Sequence, residues 1–229
     1  MMNEELRSLT GRCFGPEIWL AGIAMHFAVL AGLVYAPTAV DGATGKLYHV
    51  QRIMYFHVPS AWISFLAFFV TFIASIVVLA KRSEWWDALA TASAEIGVLF
   101  CTLALVTGSI WGKAHWNVWW VWDARLTTTF ILWLIYTVYL VLRMSTVSPE
   151  RSARLGAVFA IVGFINVPLV FVSIRLWNTA HPPAVVGSKG GLDPKMLQAL
   201  LFCVGAFTLL YFALLRGRLR VERLRKAMQ

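Results

Sequence analysis

A tryptophan-rich segment carries the side chains of this sequence best suited to holding a flat molecule. Residues 111 to 127 read WGKAHWNVWWVWDARLT and contain five of the eleven tryptophans in the chain. Four residues in it recur at spacings of three and four, so a short helix would place them on one face. They are Trp116, Trp119, Trp120 and Asp123. Indole rings are large and flat, so this pattern indicates an apolar platform with a polar edge.

The histidines are the second group with chemical capacity, because imidazole is the commonest metal ligand among side chains. The five of them are His26, His49, His57, His115 and His181. His57 stands two residues before Pro59, at the start of an apolar run. His181 is followed directly by two prolines, which bias the backbone before them toward an extended form and stiffen the loop that presents it.

The composition places these residues in a membrane protein. Of 229 residues, 59% are hydrophobic and only 14% are charged, which is too apolar for a soluble domain of this size. Six apolar runs have the roughly 20 residues that a helix needs to cross a hydrocarbon core. They cover residues 18–36, 59–80, 88–110, 126–142, 156–174 and 196–215.

These runs predict an all-α, polytopic membrane protein with six transmembrane helices. Backbone groups in lipid must pair within their own segment, and the runs are far too long for the strands of a membrane barrel. We expect one six-helix domain over residues 1–229, without a separate soluble domain. A short interfacial, tryptophan-rich helix is predicted in the outer-facing segment that follows the third span.

The lysines and arginines predict that both termini lie in the cytoplasm. Across the loops and termini, thirteen of them fall on the side of the N-terminus and seven on the other side. Cytoplasmic loops carry the excess of these residues. The C-terminal stretch RGRLRVERLRK is then expected to lie against anionic lipid. It accounts for much of the net charge of +9, so no nucleic-acid partner is needed.

The predicted topology separates two kinds of haem chemistry. A b-type cytochrome that carries electrons across the bilayer needs histidines within its helices, toward both faces. Only His26 lies deep in a span, while the other four histidines lie on the outer side. Two outer histidines are instead suited to clamp one flat cofactor at the outer surface.

An aromatic belt at the lipid headgroups is the alternative interpretation of the tryptophan segment. Belts usually contribute about one or two rings at each helix end. Five other tryptophans fit that role, namely Trp19, Trp62, Trp85, Trp86 and Trp177. Five rings within one outer loop, interleaved with charged residues, are denser than anchoring requires. Composition alone therefore favours a ligand platform over a belt.

Three segments resemble one known family. WGKAHWNVWWVWDARLT is similar to the signature of the haem-handling proteins of cytochrome c biogenesis. RIMYFHVPSAW and INVPLVFVSIRLWNTAHPP resemble the histidine segments that flank this signature in the CcmC family, the haem-delivery proteins of system I. The family is six-spanning with these three pieces on the outer side, and the likeness covers nearly the whole chain. His115 departs from the family's motif.

This resemblance implies a haem b whose iron is held between His57 and His181. It also implies that the segment from Trp111 to Asp123 lies against the porphyrin. The predicted contacts there are Trp111, Trp116, Trp119, Trp120, Trp122 and Asp123. A third imidazole, that of His115, would compete for the iron if it were a ligand, but we expect it at the rim. His49 is likewise not expected to be a ligand.

The resemblance also implies a location and a set of partners. The family acts as a multi-pass protein of the bacterial inner membrane, with its haem site facing the periplasm. It presents haem to the periplasmic chaperone CcmE, together with the ABC transporter subunits CcmA and CcmB and the small membrane subunit CcmD. On this view the chain assists covalent attachment of haem to the chaperone without catalytic residues of its own.

Two arginines are candidates for the haem propionates, because a guanidinium offers a planar fork of donors to carboxylates. Arg52 precedes His57 and Arg125 lies inside the tryptophan motif. Snorkelling to the interface is the alternative for both, and it is the favoured interpretation for Arg175. For Asp123, an ion pair with Arg125, a cap for the next helix and a part in haem transfer all stay open.

Two residues within the spans are expected to have structural roles. Glu95 lies near the inner end of the third span, and a structural carboxylate is favoured over a functional one. Pro168 lies inside the fifth span, where its missing N–H and its ring are expected to kink the helix.

Two other functions remain open. One is a lyase like those of system II, which joins haem directly to apocytochrome thiols, although such proteins usually have more spans. The other is a small-molecule transporter whose outer vestibule is aromatic. Bound haem would separate the first two functions from the third, and the partner that co-purifies would separate the first from the second.

Overall fold

Helices make up most of the chain in a computed structural model that describes residues 15–40, 47–145, 148–177 and 192–227. Seven α-helices occur in these ranges: α1 Pro16–Leu30, α2 Met54–Lys81, α3 Glu84–Trp116, α4 Ala124–Ser145, α5 Pro149–Phe164, α6 Asn166–Leu176 and α7 Pro194–Ala227. A π-helical turn, Ala31–Tyr35, extends α1. Two short strands, β1 Ala39–Val40 and β2 Leu47–Tyr48, pair in an antiparallel manner, and a 3-10 helix, His49–Ile53, leads into α2.

Six segments are long and apolar enough to cross a membrane, which confirms the predicted six-span, all-α fold. They are Pro16–Tyr35, His49–Lys81, Glu84–Trp116, Ala124–Ser145, Pro149–Ser173 and Pro194–Leu224. Each is longer than the apolar run that predicted it, because the helices continue into the polar residues at their ends. Helical pairing within each segment satisfies the backbone, as an apolar surrounding requires.

The fifth span is broken in two, as the proline within it predicts. Helix α5 ends at Phe164, Ile165 forms a turn, and α6 begins at Asn166. Pro168 has no N–H to donate to the carbonyl of Phe164, four residues earlier, so the helical ladder is interrupted at this level. The amide of Asn166 donates to the carbonyl of Thr128 at 2.7 Å and ties the break to α4.

Helices α2 and α3 form the centre of the bundle. Small residues let the two helices approach closely, as is usual where helices pack in lipid. At Gly97 of α3, an added Cβ would lie 2.6 Å from the ring of Phe68 in α2. Phe68 in turn stacks on Tyr136 of α4 with ring centroids 3.8 Å apart. Aromatic packing therefore continues the core from α2 into α4.

Ion pairs join the helices at the end of the bundle where α3 begins. Arg143 of α4 contacts Asp87 at 2.6 Å, and Arg220 of α7 contacts Glu17 of α1 at 2.7 Å. Arg218 binds both carboxylate oxygens of Glu95, at 2.6 and 2.9 Å. Glu95 therefore has a structural partner, in line with the expected structural carboxylate.

Candidate functional site

The tryptophan segment folds back over the last turns of α3. The helix ends at Asn117, whose φ of 60° lies in the left-handed region that asparagine tolerates better than most residues. The chain then reverses, so that the hydroxyl of Ser109 donates to the carbonyl of Trp119 at 2.6 Å. Lys113 holds the turn by donating to the side-chain oxygen of Asn117 at 2.8 Å. Residues 117–123 are irregular, so the short helix predicted here is wrong.

The reversal encloses a cavity at this end of the bundle, which we name the tryptophan cavity. Its volume is about 820 Å³, including the part open to the outside, and its lining is mostly apolar. Seven of the predicted site residues line it, namely His57, Trp111, Trp116, Trp119, Trp120, Asp123 and Arg125. Helices α2, α3, α4 and α6 supply the rest of the wall.

His57 stands on the second turn of α2 and is held by α3. Its Nδ1 lies 3.0 Å from the hydroxyl oxygen of Thr107. Gly108, the next residue of α3, leaves room for the ring, because a Cβ there would lie 3.1 Å from Cε1 of His57. The imidazole therefore packs against α3, and it also lines the cavity.

The start of α4 supplies the polar part of the cavity wall. Asp123 accepts a hydrogen bond from the backbone N–H of Leu126 at 2.8 Å, which is an N-terminal cap. Arg125 lies in the first turn of the helix, and Asp123 is its neighbouring charge. The Arg125 guanidinium therefore lies at the cavity wall beside the carboxylate of Asp123.

Comparison with known proteins decides the family. The family model for heme exporter protein C matches residues 2–229. The heme exporter protein C of Bradyrhizobium diazoefficiens is 42% identical over 214 residues, which cover 91% of this chain and 79% of that protein. The chain belongs to the heme exporter protein C family.

Two further relatives agree with this result. The heme exporter protein C of Haemophilus influenzae is 34% identical over 91% of this chain and 83% of its own length. That of Escherichia coli is 33% identical over 88% of this chain and 81% of its own length. The resemblance of the three sequence segments to the CcmC family is thereby confirmed.

Two predicted site residues of this heme exporter protein C family member, Trp122 and Arg52, do not line the cavity. The Trp122 side chain is 73% exposed and touches Trp120 edge-on, with centroids 5.5 Å apart. The Arg52 guanidinium donates to the carbonyl of Leu33 and, at 3.0 Å, to the hydroxyl of Thr38. It thereby holds the π-helical turn after α1. His181 lies outside the described residues.

His115 does not line the cavity and lies behind Trp111, which does. Its Nδ1 is 2.7 Å from the hydroxyl of Tyr48, at the end of β2. Its ring stacks on Trp111, with centroids 5.1 Å apart and planes 8° from parallel. Trp111 lines the cavity, so His115 and Tyr48 support this indole from behind. His49 is exposed in the 3-10 helix.

Four small or polar residues of α3 complete the site, although their positions in the sequence do not mark them as site residues. They are Thr107, Gly108, Ser109 and Gly112. Gly112 is buried under the reversed segment, where an added Cβ would lie 3.3 Å from the carbonyl oxygen of Val118. The only signal in the sequence was the run TGSIWG, whose small residues permit close approach to one face of the helix.

Proposed function

We propose that this chain binds haem b in the tryptophan cavity and presents it to the periplasmic chaperone CcmE for cytochrome c maturation. Membership of the heme exporter protein C family supports a role in haem delivery for that process. In this proposal the cavity faces the periplasm from the bacterial inner membrane, consistent with the excess of lysine and arginine on the side of the termini.

One observation carries the proposal: a single cavity is lined by an imidazole, several indoles and a guanidinium. These groups match the three chemical parts of haem. Imidazole nitrogen is a common axial ligand of the iron, indole rings pack on the porphyrin, and a guanidinium pairs with a propionate. The alternative of an aromatic belt does not explain why the indoles enclose a cavity with a histidine in its wall.

A buried hydrogen-bond donor in the cavity wall also supports a ligand that carries acceptor groups. The indole N–H of Trp120 is buried and has no hydrogen-bond partner among the described residues. Leaving such a donor unpaired costs about 1–3 kcal/mol. Trp120 lines the cavity, so a propionate or another acceptor of the bound molecule would relieve that cost.

We assign iron ligation to His57 and His181. Two imidazoles keep the iron fully coordinated, which limits oxygen chemistry while transfer to the chaperone is pending. His57 supplies one of them from the cavity wall. His181 follows α6 in the chain by five residues, and α6 contributes Val170 to the same wall.

The exposed indoles are the proposed docking surface for the chaperone. The side chains of Trp119 and Trp122 are 59% and 73% exposed, and Val118 beside them is 41% exposed. Exposed aromatic residues of this kind are enriched at protein interfaces. Trp119 also lines the cavity, so it would touch both the porphyrin and the incoming partner. The proposed complex further contains CcmA, CcmB and CcmD.

Purification from a membrane that makes haem tests the proposal against its two alternatives. We expect a red preparation with a low-spin haem spectrum that co-purifies with CcmE. Co-purification with apocytochrome and not with CcmE would favour a lyase like those of system II. A colourless protein that also fails to bind added haem would contradict haem delivery and favour a transporter with an aromatic vestibule.

The two candidate arginines are expected to behave differently when each is replaced with glutamine. Arg125→Gln removes a guanidinium from the cavity wall, so haem affinity should fall by about tenfold, or ~1.4 kcal/mol. Arg52→Gln removes hydrogen bonds to Leu33 and Thr38, so the melting temperature should fall while haem affinity is largely retained. Haem titration and thermal unfolding measure the two effects. The reverse pattern would assign the propionate to Arg52.

A further inference from the structure

Thr107 contacts His57 in a way that determines which ring nitrogen carries the proton. The hydroxyl oxygen of Thr107 is 2.6 Å from the carbonyl oxygen of Leu103 and 3.0 Å from Nδ1 of His57. Two oxygens at 2.6 Å repel each other unless a proton lies between them, so the Thr107 hydroxyl donates to Leu103. That hydroxyl has no second proton for the imidazole, and its oxygen therefore accepts from the Nδ1–H of His57.

This assignment puts the lone pair of the neutral imidazole on Nε2. A neutral histidine has one protonated ring nitrogen and one that can bind a metal. Ligating histidines commonly donate their other N–H to a protein acceptor, which fixes the tautomer and the orientation of the ring. Thr107 is such an acceptor, and it belongs to a different helix from His57.

Gly108 fixes the ring from the adjacent position. A Cβ at Gly108 would lie 3.1 Å from Cε1 of His57 and 3.6 Å from Nδ1. Because Cε1 joins the two ring nitrogens, a side chain here would press on the edge that leads to Nε2. A glycine therefore lets the imidazole lie against α3 with its Nδ1 in reach of Thr107.

We propose that Thr107 is a positioning residue for haem, which sets the tautomer and the angle of His57 so that Nε2 binds the iron. Gly108 provides the space for that arrangement. The inference rests on the proposed function, because it requires His57 to be an axial ligand. It goes beyond that function by assigning the iron to one ring nitrogen and the control of that nitrogen to a hydroxyl of α3.

Thr107→Val and Thr107→Ser test the role of the hydroxyl with added haem as the probe. Valine matches threonine in shape but cannot accept the hydrogen bond, so the dissociation constant of haem should rise by about 10- to 100-fold. The haem that still binds should have a higher reduction potential, because the imidazole loses an acceptor that makes it a stronger donor. Thr107→Ser keeps the hydroxyl and should restore both values.

Thr137→Val is the matched control for fold and membrane insertion. Its hydroxyl makes the same type of bond, to the carbonyl of Trp133 four residues earlier, and it does not line the cavity. This variant should retain the affinity and the potential of the parent. If Thr107→Val also retains both, the positioning role is overturned.

Gly108→Ala tests the packing of the His57 ring against α3 without changing a hydrogen-bonding group. The added methyl should tilt the His57 ring and weaken haem binding. Gly205→Ala is its control, because nothing lies within 4 Å of a Cβ at that position. Gly108→Ala therefore decides the question if Thr107→Val does not fold, and unchanged haem affinity in this variant would overturn the inference.

His57→Ala separates the failure of this inference from the failure of the proposed function. If His57→Ala binds haem with the parent's affinity and spectrum, His57 is not a ligand and both are overturned. If His57→Ala loses haem while Thr107→Val and Gly108→Ala do not, only the positioning role fails. The proposal is supported when all three variants weaken haem binding and Thr107→Ser does not.

Discussion

Replacing His57 with alanine is expected to remove the low-spin haem spectrum and to lower haem affinity by more than about tenfold, or ~1.4 kcal/mol. The reason is that the imidazole of His57 lines the tryptophan cavity, where it would bind the iron. Loss of one axial ligand leaves the iron five-coordinate and shifts it toward a high-spin form. Absorption spectra of the purified protein and titration with haem measure both effects. The double variant with His181→Ala should also lack the low-spin spectrum.

Two controls test whether the spectral change is specific to His57: added imidazole and a second histidine variant. Free imidazole should enter the space left by the His57 side chain and restore part of the low-spin spectrum. His49→Ala removes an exposed imidazole from the 3-10 helix before α2 and should leave the spectrum unchanged. A low-spin spectrum that persists in the double variant of His57 and His181 would refute the assigned ligand pair.

Replacing Trp119 and Trp120 together with alanine is expected to impair haem handover more than insertion into the membrane. Both rings line the cavity, and Trp120 also touches Trp122 and Phe130 edge-on. An indole that stacks on the porphyrin would contribute about 0.5–1.5 kcal/mol beyond its buried area. Loss of both rings should therefore reduce haem transfer by about tenfold or more. Covalent haem on the chaperone, compared with the amount of inserted protein, measures the effect.

Trp85 and Trp86 provide a matched control pair. They lie in the first turn of α3, with ring centroids 4.8 Å apart, and neither lines the cavity. At ~1.5 Å per residue of helix they are more than about 35 Å from Trp111. Their replacement with alanine should leave handover intact. Equal haem transfer in the Trp119 and Trp120 double variant and in the parent would show that these rings do not hold or present haem.

The six spans could be predicted from the sequence because a bilayer imposes a simple constraint. A helix must stay apolar for the thickness of the hydrocarbon core, and each of the six runs meets that length. The ends of the helices could not be read in the same way. For example, α3 begins at Glu84 and continues to Trp116, well beyond the predicted 88–110, because polar residues at the interface also remain helical.

The tryptophan segment shows that residues can be brought together by a local structure other than the one predicted. Helical spacing groups Trp116, Trp119 and Trp120, yet the chain leaves the helix at Asn117. They meet because residues 117–120 reverse over Ser109 and Gly112 and bring the indoles around one space. Periodicity cannot represent such a reversal, which depends on one left-handed residue and on close packing.

Thr107 and Arg52 show that contacts between helices limit what can be predicted from the sequence. A threonine within an apolar helix usually bonds the carbonyl four residues earlier, so nothing in the sequence distinguished Thr107. Only the packing of α2 on α3 places it at His57. Arg52 precedes His57 by five residues, but its guanidinium is directed toward the π-helical turn after α1. Which residues converge is decided by the tertiary fold.

A structure of the protein with bound haem tests the central claim most directly. The protein should be reconstituted in a lipid nanodisc with haem and imaged by electron cryomicroscopy. We expect porphyrin density in the tryptophan cavity, with the iron bound by Nε2 of His57 and by His181. Porphyrin outside that cavity, or iron bound by another histidine such as His115 in place of His57, would contradict the account.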